Sequence, residues 1–290
     1  MKLGSFSDYI ELIKLRITVM QLVTVFLGYV LGASQGNGLQ LVRMTWLLIA
    51  TFCVASGVAA LNHYLERSAD KKMKRTENRP LPQNRINPNL AFIFGLMMSV
   101  LGIILAMLKV NPITGFICAM TAGLYVFVYT PLKRMTWVNT LVGAIPGALP
   151  PLGGWVAATE TLSAGGWLLF VLLFAWQHPH FYAIAWLYKD DYDRAGFQML
   201  PSVDQSGINM KSQIMLFSIL TLGAPIQLYR LSIIHEWTVL IGTLLGLYYL
   251  YAGFTMCRDV SPKTAKHLLL ASIIYLPLLV CAVLIEAFLI

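Results

Sequence analysis

Nine apolar runs divide this chain, and each is close to the length needed to cross a bilayer. A spanning helix needs about 20 mostly apolar residues, and all its backbone polar groups must be bonded internally. The runs are read at 10–32, 44–64, 91–110, 113–131, 138–157, 165–187, 213–231, 236–255 and 267–288. A count of seven or eight is the alternative, with the first run lying in the interface or 113–131 re-entrant. Composition agrees: 58% of the 290 residues are hydrophobic and 12% charged, roughly half the charged fraction of a soluble domain. The expectation is an all-α, polytopic membrane bundle of about nine transmembrane helices. It is read as a single domain over 1–290, around a central cavity open to the cytoplasmic side.

Nine spans create two sets of loops. One set, at 1–16, 65–90, 132–137, 188–212 and 256–266, holds 18 of the 21 basic residues, Lys2 among them. The other has only Arg43, Lys109 and Arg230, and its connectors, such as Ser34-Gln-Gly-Asn-Gly38, carry no unusual chemistry. Basic loops stay cytoplasmic, so the N-terminus is expected inside and the C-terminus outside. The net charge of +8 is therefore a topological signal, and no nucleic-acid motif accompanies it. The first run carries Glu11, Lys14 and Arg16 at its entry and is expected to remain as an anchor rather than be cleaved. No Arg/Ser-rich extension precedes it, which favours a bacterial cell (inner) membrane. Cys53, Cys118, Cys257 and Cys281 are far apart, against structural zinc or a disulfide framework.

The densest chemistry lies at 62–82, Asn62-His-Tyr-Leu-Glu66-Arg-Ser-Ala-Asp70-Lys-Lys-Met-Lys-Arg75-Thr-Glu-Asn-Arg79-Pro-Leu-Pro82. Asn62, Glu66 and Asp70 recur every fourth residue, so on a helix they share one slowly drifting face. Hard oxygen ligands followed by basic residues suit a divalent cation holding a polyphosphate. The ordinary alternative is a solvated charged loop. Against it, Glu66 and Asp70 sit where a helix ends, the wrong sign for the macrodipole, so a cation should compensate them.

A second acidic cluster, Tyr188-Lys-Asp190-Asp191-Tyr-Asp193-Arg194-Ala-Gly196, follows the sixth run. Alone it reads as a polar helix end. Together the two clusters could hold Mg²⁺ ions around one diphosphate. Tyr129-Thr-Pro-Leu-Lys133-Arg134-Met-Thr-Trp-Val-Asn139 supplies a short basic turn between them, either closing on the diphosphate or anchoring the span. The fifth run, Gly143-Ala-Ile-Pro146-Gly147-Ala-Leu-Pro150-Pro151-Leu-Gly153-Gly154-Trp155, is expected to kink and leave a cavity, or to form a small-residue packing seam at Gly143 and Gly147. His63 sits beside Asn62, and His178 and His180, two apart across a proline, could bind metal or haem; a hydrogen-bonded or interfacial histidine is the commoner outcome. His235 and His267 look interfacial.

The stretch Asn62 to Pro82 resembles the first acidic motif of the UbiA-type intramembrane prenyltransferases. Three further blocks resemble the haem-prenylating branch of that family, the protohaem IX farnesyltransferases. They are Tyr129-Thr-Pro-Leu-Lys-Arg-Met-Thr136, Gly147-Ala-Leu-Pro-Pro-Leu-Gly-Gly-Trp155, and Trp176-Gln-His-Pro-His-Phe-Tyr-Ala-Ile-Ala-Trp186 with Lys189-Asp-Asp-Tyr192 and Ala195-Gly-Phe-Gln-Met-Leu-Pro201. The resemblance covers residues 9 to 255 in order. It departs at Glu66, where many relatives have Asp, and at Lys14-Leu15-Arg16, where a central proline is common.

The resemblance implies transfer of farnesyl from farnesyl diphosphate to a vinyl group of haem b, with water adding to give haem O. That product serves terminal oxidases directly or as the precursor of haem A, so haem A synthase or an oxidase is an expected partner, with the lipid bilayer. Asn62, Glu66, Asp70, Asp190 and Asp191 are then expected to hold Mg²⁺. Arg75, Arg79, Lys133 and Arg134 would bind the diphosphate, and Tyr129, Asn139, His180 and Tyr182 would line the substrate pocket, the two tyrosines facing the allylic cation. Two rivals stay open: the same chemistry on another aromatic or tetrapyrrole acceptor, and a cation-coupled transporter. Transport sites normally lie near the midplane, whereas these acids sit at one face.

Overall fold

The structure is a computed structural model and describes residues 3–36 and 38–289; Lys2 and Asn37 lie outside the described residues. It is all-helical, with no strand among the described residues. The spans are α2 (Leu15–Ser34), α3 (Leu41–Asp70), α4 (Pro88–Lys109), α5 (Pro112–Gly123), α7 (Asn139–Thr159), α8 (Ala164–Leu187), α11 (Ile208–Arg230), α12 (Glu236–Arg258) and α13 (Pro262–Leu289). Short helices α1 (Phe6–Leu12), α6 (Thr130–Leu132), α9 (Lys189–Ala195) and α10 (Leu200–Val203) link them at one end. The nine expected spans are thus present among the described residues.

Two boundaries differ from the hydropathy reading, each for a physical reason, and the 113–131 run keeps its place as a span. The first run does not begin at residue 10. Ser5 caps α1 through a reciprocal bond with Asp8, and the chain then breaks at Lys14, whose φ of 50° lies in the left-handed region. The 113–131 run is not re-entrant. It crosses as α5, continues through a π-helical turn at Leu124–Tyr129 and ends in α6. The second span does not stop at residue 64 but runs 30 residues to Asp70, carrying the whole first motif on helix.

Neighbouring spans pack in a ring, α2–α3–α4–α5–α7–α8–α11–α12–α13, which closes where α13 meets α2 and α8. The lateral surface is apolar, with Met97, Leu108, Phe127 and Leu244 exposed, as lipid contact requires. The seam between α2 and α7 is the closest approach. A Cβ on Gly28 would lie 2.0 Å from the Pro151 carbonyl oxygen, and one on Gly154 2.0 Å from that of Val25. Only glycine lets the two backbones touch there. Despite Pro146, Pro150 and Pro151, α7 is a continuous helix. Its glycines meet different neighbours, Gly143 against Tyr129 and Gly147 against Gln177. The small residues therefore serve several contacts rather than one two-helix seam.

Candidate active site

Asn62, Glu66 and Asp70 are all buried, at 0%, 6% and 0% exposure, on successive turns at the C-terminal end of α3. Each is met by a base from a different segment. Lys14 Nζ donates to Asn62 Oδ1 at 2.7 Å. Lys133 Nζ donates to Glu66 Oε1 at 2.7 Å. Arg79 Nη1 reaches both Asp70 oxygens, at 2.9 and 3.0 Å. Asn62 Nδ2 in turn donates to Thr130 Oγ1 at 3.3 Å. Buried carboxylates at a helix C-terminus need such compensation, because burial and the helix dipole both disfavour negative charge there. The cations feel each other too. Burial, reinforced by Arg79 and Lys133, pushes the Lys14 ammonium down to about 7. Burial would lower Lys133 as well, but the Glu66 carboxylate outweighs it and holds Lys133 well above its ordinary value.

The sequence alone gives Lys14 no site role: it marks the entry of an apolar run and belongs to the Lys14-Leu15-Arg16 stretch. The fold brings it in because the break before α2 turns its side chain into the end of the bundle.

The π turn aims two aromatic rings at the same place. Tyr125 and Tyr129 meet edge to face, with centroids 5.0 Å apart, and Lys133 Nζ lies 4.5 Å from the Tyr129 ring centre. Thr130 Oγ1 donates to the Tyr125 carbonyl at 2.8 Å, beside the Thr130 backbone N–H that already closes the π turn on the same oxygen. Beyond Tyr125 lies a narrow, mainly apolar slot between α2, α3, α5 and α7, lined among others by Val25, Val54, Val58, Cys118, Pro150 and Gly153. The slot begins one helical turn inward of Asn62, at Val58. Contacts run from the Glu66–Lys133 pair through the Tyr129 ring to Tyr125, which lines the slot.

The second acidic motif approaches from the other side. Ala69 and Met73 pack against Ala185, Ala195 and Phe197, which draws α9 towards the turn after α3. Asp191 is buried, accepts the Arg75 backbone N–H at 3.2 Å and pairs with Arg194. Asp190 is exposed and lines an open cleft of about 460 Å³. Arg75 also faces that cleft rather than Glu66 or Asp70, with its guanidinium over Tyr188. Arg134 reaches Ser68 Oγ at 3.3 Å on the outer side of α3. Among the described residues no three carboxylate, histidine or cysteine side chains gather closely enough to hold a metal by themselves.

Three expected pocket residues are engaged elsewhere. The Asn139 amide donates to the Thr136 and Gln198 carbonyls, both at 2.7 Å, and clasps the start of α7 to the segment before α10. His180 stacks on Trp176 and bonds Ser272 Oγ at 2.7 Å, facing α13. Tyr182 is buried against α11, where its hydroxyl bonds Gln213. Tyr129 alone of the four stands at the cluster, and Tyr125 joins it.

The UbiA prenyltransferase family matches residues 21–276. A protohaem IX farnesyltransferase of Solibacter usitatus is 42% identical over 279 residues, covering 94% of this chain and 96% of that protein. Two solved structures share the fold at low identity. A digeranylgeranylglyceryl phosphate synthase superposes with a TM-score of 0.79 at 17% identity, covering 98% of this chain and 99% of that one. A UbiA homologue from Archaeoglobus fulgidus, bound to DMAPP and Mg²⁺, gives 0.72 at 14% identity, covering 98% and 100%. The matches run from the first span to the last and take in both acidic motifs, so the chain belongs to the UbiA prenyltransferase family and groups with its protohaem IX farnesyltransferases.

Proposed function

We propose that this protein transfers a farnesyl group from farnesyl diphosphate to a vinyl group of haem b, with addition of water, releasing diphosphate and haem O. The observation that carries the reading is one juxtaposition: Asn62, Glu66 and Asp70, each met by a base, follow on α3 directly after Val58, where the helix lines an apolar slot that Tyr125 also lines. A diphosphate with an isoprenoid tail has that polarity. Asn62, Glu66, Asp70 and Asp191 gather at one end of the bundle and not at its midplane, which argues against a transport site.

The donor set fits Mg²⁺. Asn62, Glu66 and Asp70 offer hard oxygen atoms on one helical face, and Mg²⁺ typically takes one or two carboxylates and leaves the rest of its shell to water and substrate phosphate. When bound, the ion would neutralise charge growing on the departing diphosphate. Asp191 is the second-motif residue best placed to join them, because it is buried against the turn that follows Asp70. Lys14, Arg79 and Lys133, now paired with the motif, supply N–H donors to the phosphate oxygens, which stabilises the leaving pair of electrons as the C–O bond opens. The Tyr129 and Tyr125 faces receive the allylic cation at the mouth of the slot. The vinyl π pair then forms the new C–C bond, water captures the resulting cation, and its extra proton leaves to solvent. The slot walls keep other water away from the farnesyl chain.

The loop charges support a cytoplasmic position for this end of the bundle, with the N-terminus inside and the C-terminus outside a bacterial inner membrane. The product leaves for a terminal oxidase or for conversion to haem A. The test uses purified protein in detergent with haem b, farnesyl diphosphate and Mg²⁺, followed by mass analysis of the porphyrin. A porphyrin heavier by farnesyl plus water, absent with EDTA, is expected. Diphosphate release with an unchanged porphyrin would transfer the reaction to another acceptor, and cation flux without diphosphate release would make the protein a transporter.

A further inference from the structure

The bases at this end of the bundle fall into two groups. Lys14, Arg79 and Lys133 surround the first acidic motif. Lys74, Arg75 and Arg194 instead line the open cleft of about 460 Å³ on the far side of Asp191. Arg194 pairs with Asp191, but among the described residues neither Lys74 nor Arg75 makes an ion pair. Asp190 is the one acid of the cleft wall that is likewise unpaired, so the cleft keeps a net positive charge.

The uncharged part of the wall is Leu187 and Tyr188, and Tyr192 adjoins it through Arg75. The Arg75 guanidinium lies 5.1 Å from the Tyr188 ring centre and 5.9 Å from that of Tyr192, and its Nη2 comes within 3.4 Å of the Tyr192 hydroxyl. Leu187 adds aliphatic surface beside them. A diphosphate already has three bases in the inner cluster and makes no use of the Leu187 and Tyr188 surface. A planar macrocycle with carboxylates on one edge suits the wall on all counts: rings and Leu187 for the plane, Lys74 and Arg75 for the carboxylates.

We propose that this cleft binds the propionate edge of the tetrapyrrole acceptor, a subsite that rests on the acceptor reading above. Protohaem carries its two propionates on one edge and its two vinyl groups towards the opposite one. Seating the carboxylates against Lys74 and Arg75 at the rim leaves the charged edge in water. It turns the vinyl edge inward, past Tyr192 and towards the Tyr129 and Tyr125 rings. The cleft thereby decides which edge of the macrocycle meets the allylic carbon.

The test compares haem b with its propionate dimethyl ester, each with farnesyl diphosphate and Mg²⁺, in the wild-type protein, Lys74→Ala, and the double variant Lys74→Ala/Arg75→Ala. The wild type is expected to prefer the free acid by about tenfold or more in kcat/KM, the size of one lost charge-assisted hydrogen bond. In the double variant KM for haem b should rise about tenfold, KM for the ester should stay put, and KM for farnesyl diphosphate should not move. Arg75→Lys with Lys74 intact should recover part of the preference. Equal use of ester and acid by the wild type would overturn the proposal, as would variants that raise KM for farnesyl diphosphate and leave the acid-to-ester ratio unchanged. Failure of the acceptor reading looks different, because the wild type would then prenylate neither porphyrin. Unaltered kinetics for farnesyl diphosphate also show that the variants are folded.

Discussion

Lys14 Nζ donates to Asn62 Oδ1 at 2.7 Å, so the backbone break before α2 is tied to the first residue of the acidic motif. Lys14 holds φ at 50°, a conformation that a side chain adopts only at a cost. Lys14→Gly therefore relaxes the backbone while removing the amine. If the amine is a phosphate donor, this variant should lose on the order of 10²-fold in kcat/KM for farnesyl diphosphate, with stability held or raised. Steady-state kinetics beside a thermal melt in detergent check this. Unchanged kinetics would return Lys14 to a purely structural place.

The aromatic assignment separates two tyrosines of one chemistry. Tyr125 opens on the slot and meets Tyr129 at 5.0 Å, whereas Tyr182 is buried against α11 with its hydroxyl on Gln213. Tyr125→Leu should lower kcat about tenfold, the worth of one desolvated cation–π contact, with little change in KM. Replacing Tyr125 by phenylalanines of increasing fluorination should lower the rate stepwise as the ring face loses negative potential, which a packing role would not do. Tyr182→Phe should keep kcat near the wild type. A flat fluorination series, or a Tyr182 effect of equal size, would remove Tyr125 from the mechanism.

These residues show where reading the sequence stops. The spans and the acidic register were open to it, because hydropathy and a spacing of four are local properties. Asp70 with Arg79 lies within one motif, and the need for a cation there followed from the helix dipole. Lys14 with Asn62 joins residues 48 apart, and no local pattern encodes that distance. The π turn occupies six residues inside an apolar run, where one extra residue per turn leaves no mark on hydropathy. The directions of His180 and Tyr182, towards Ser272 and Gln213, are not legible in the sequence because α8 packs against α7, α11 and α13, so no polar face marks one side.

Adjacent glycines in α7 should respond oppositely. A Cβ at Gly154 would meet the Val25 carbonyl oxygen at 2.0 Å, backbone that cannot yield, while one at Gly153 would meet Ile117 Cγ2 at 3.5 Å, an ordinary contact. Gly154→Ala should therefore destabilise the protein by about 1–3 kcal/mol by forcing α2 and α7 apart. Gly153→Ala should leave the melt unchanged and act on the slot it lines, raising KM for farnesyl diphosphate. Melts of both variants beside the wild type test the seam. Equal tolerance would show that α2 and α7 are not in backbone contact.

Away from the chemistry, Asp204 makes the stability of the fold depend on pH. Asp204 Oδ2 accepts the Met210 N–H at 3.0 Å, one of the free donors in the first turn of α11, and Oδ1 accepts from Ser206 Oγ at 2.9 Å. Burial alone would raise its pKa, but these bonds outweigh it and hold the carboxyl below its ordinary 3.8. A depressed carboxylate stabilises the fold above its unfolded value, and that stability is lost as pH falls through the folded one. Asp204→Ala should thus cost about 1 kcal/mol at neutral pH, the usual worth of a helix N-terminal acceptor. The gap between variant and wild type should persist down to the ordinary carboxylate value and close below it. Paired melts across that range measure it directly. A gap independent of pH would mean that the side chain acts through packing, and a gap that widens in acid would reverse the sign of the assigned shift.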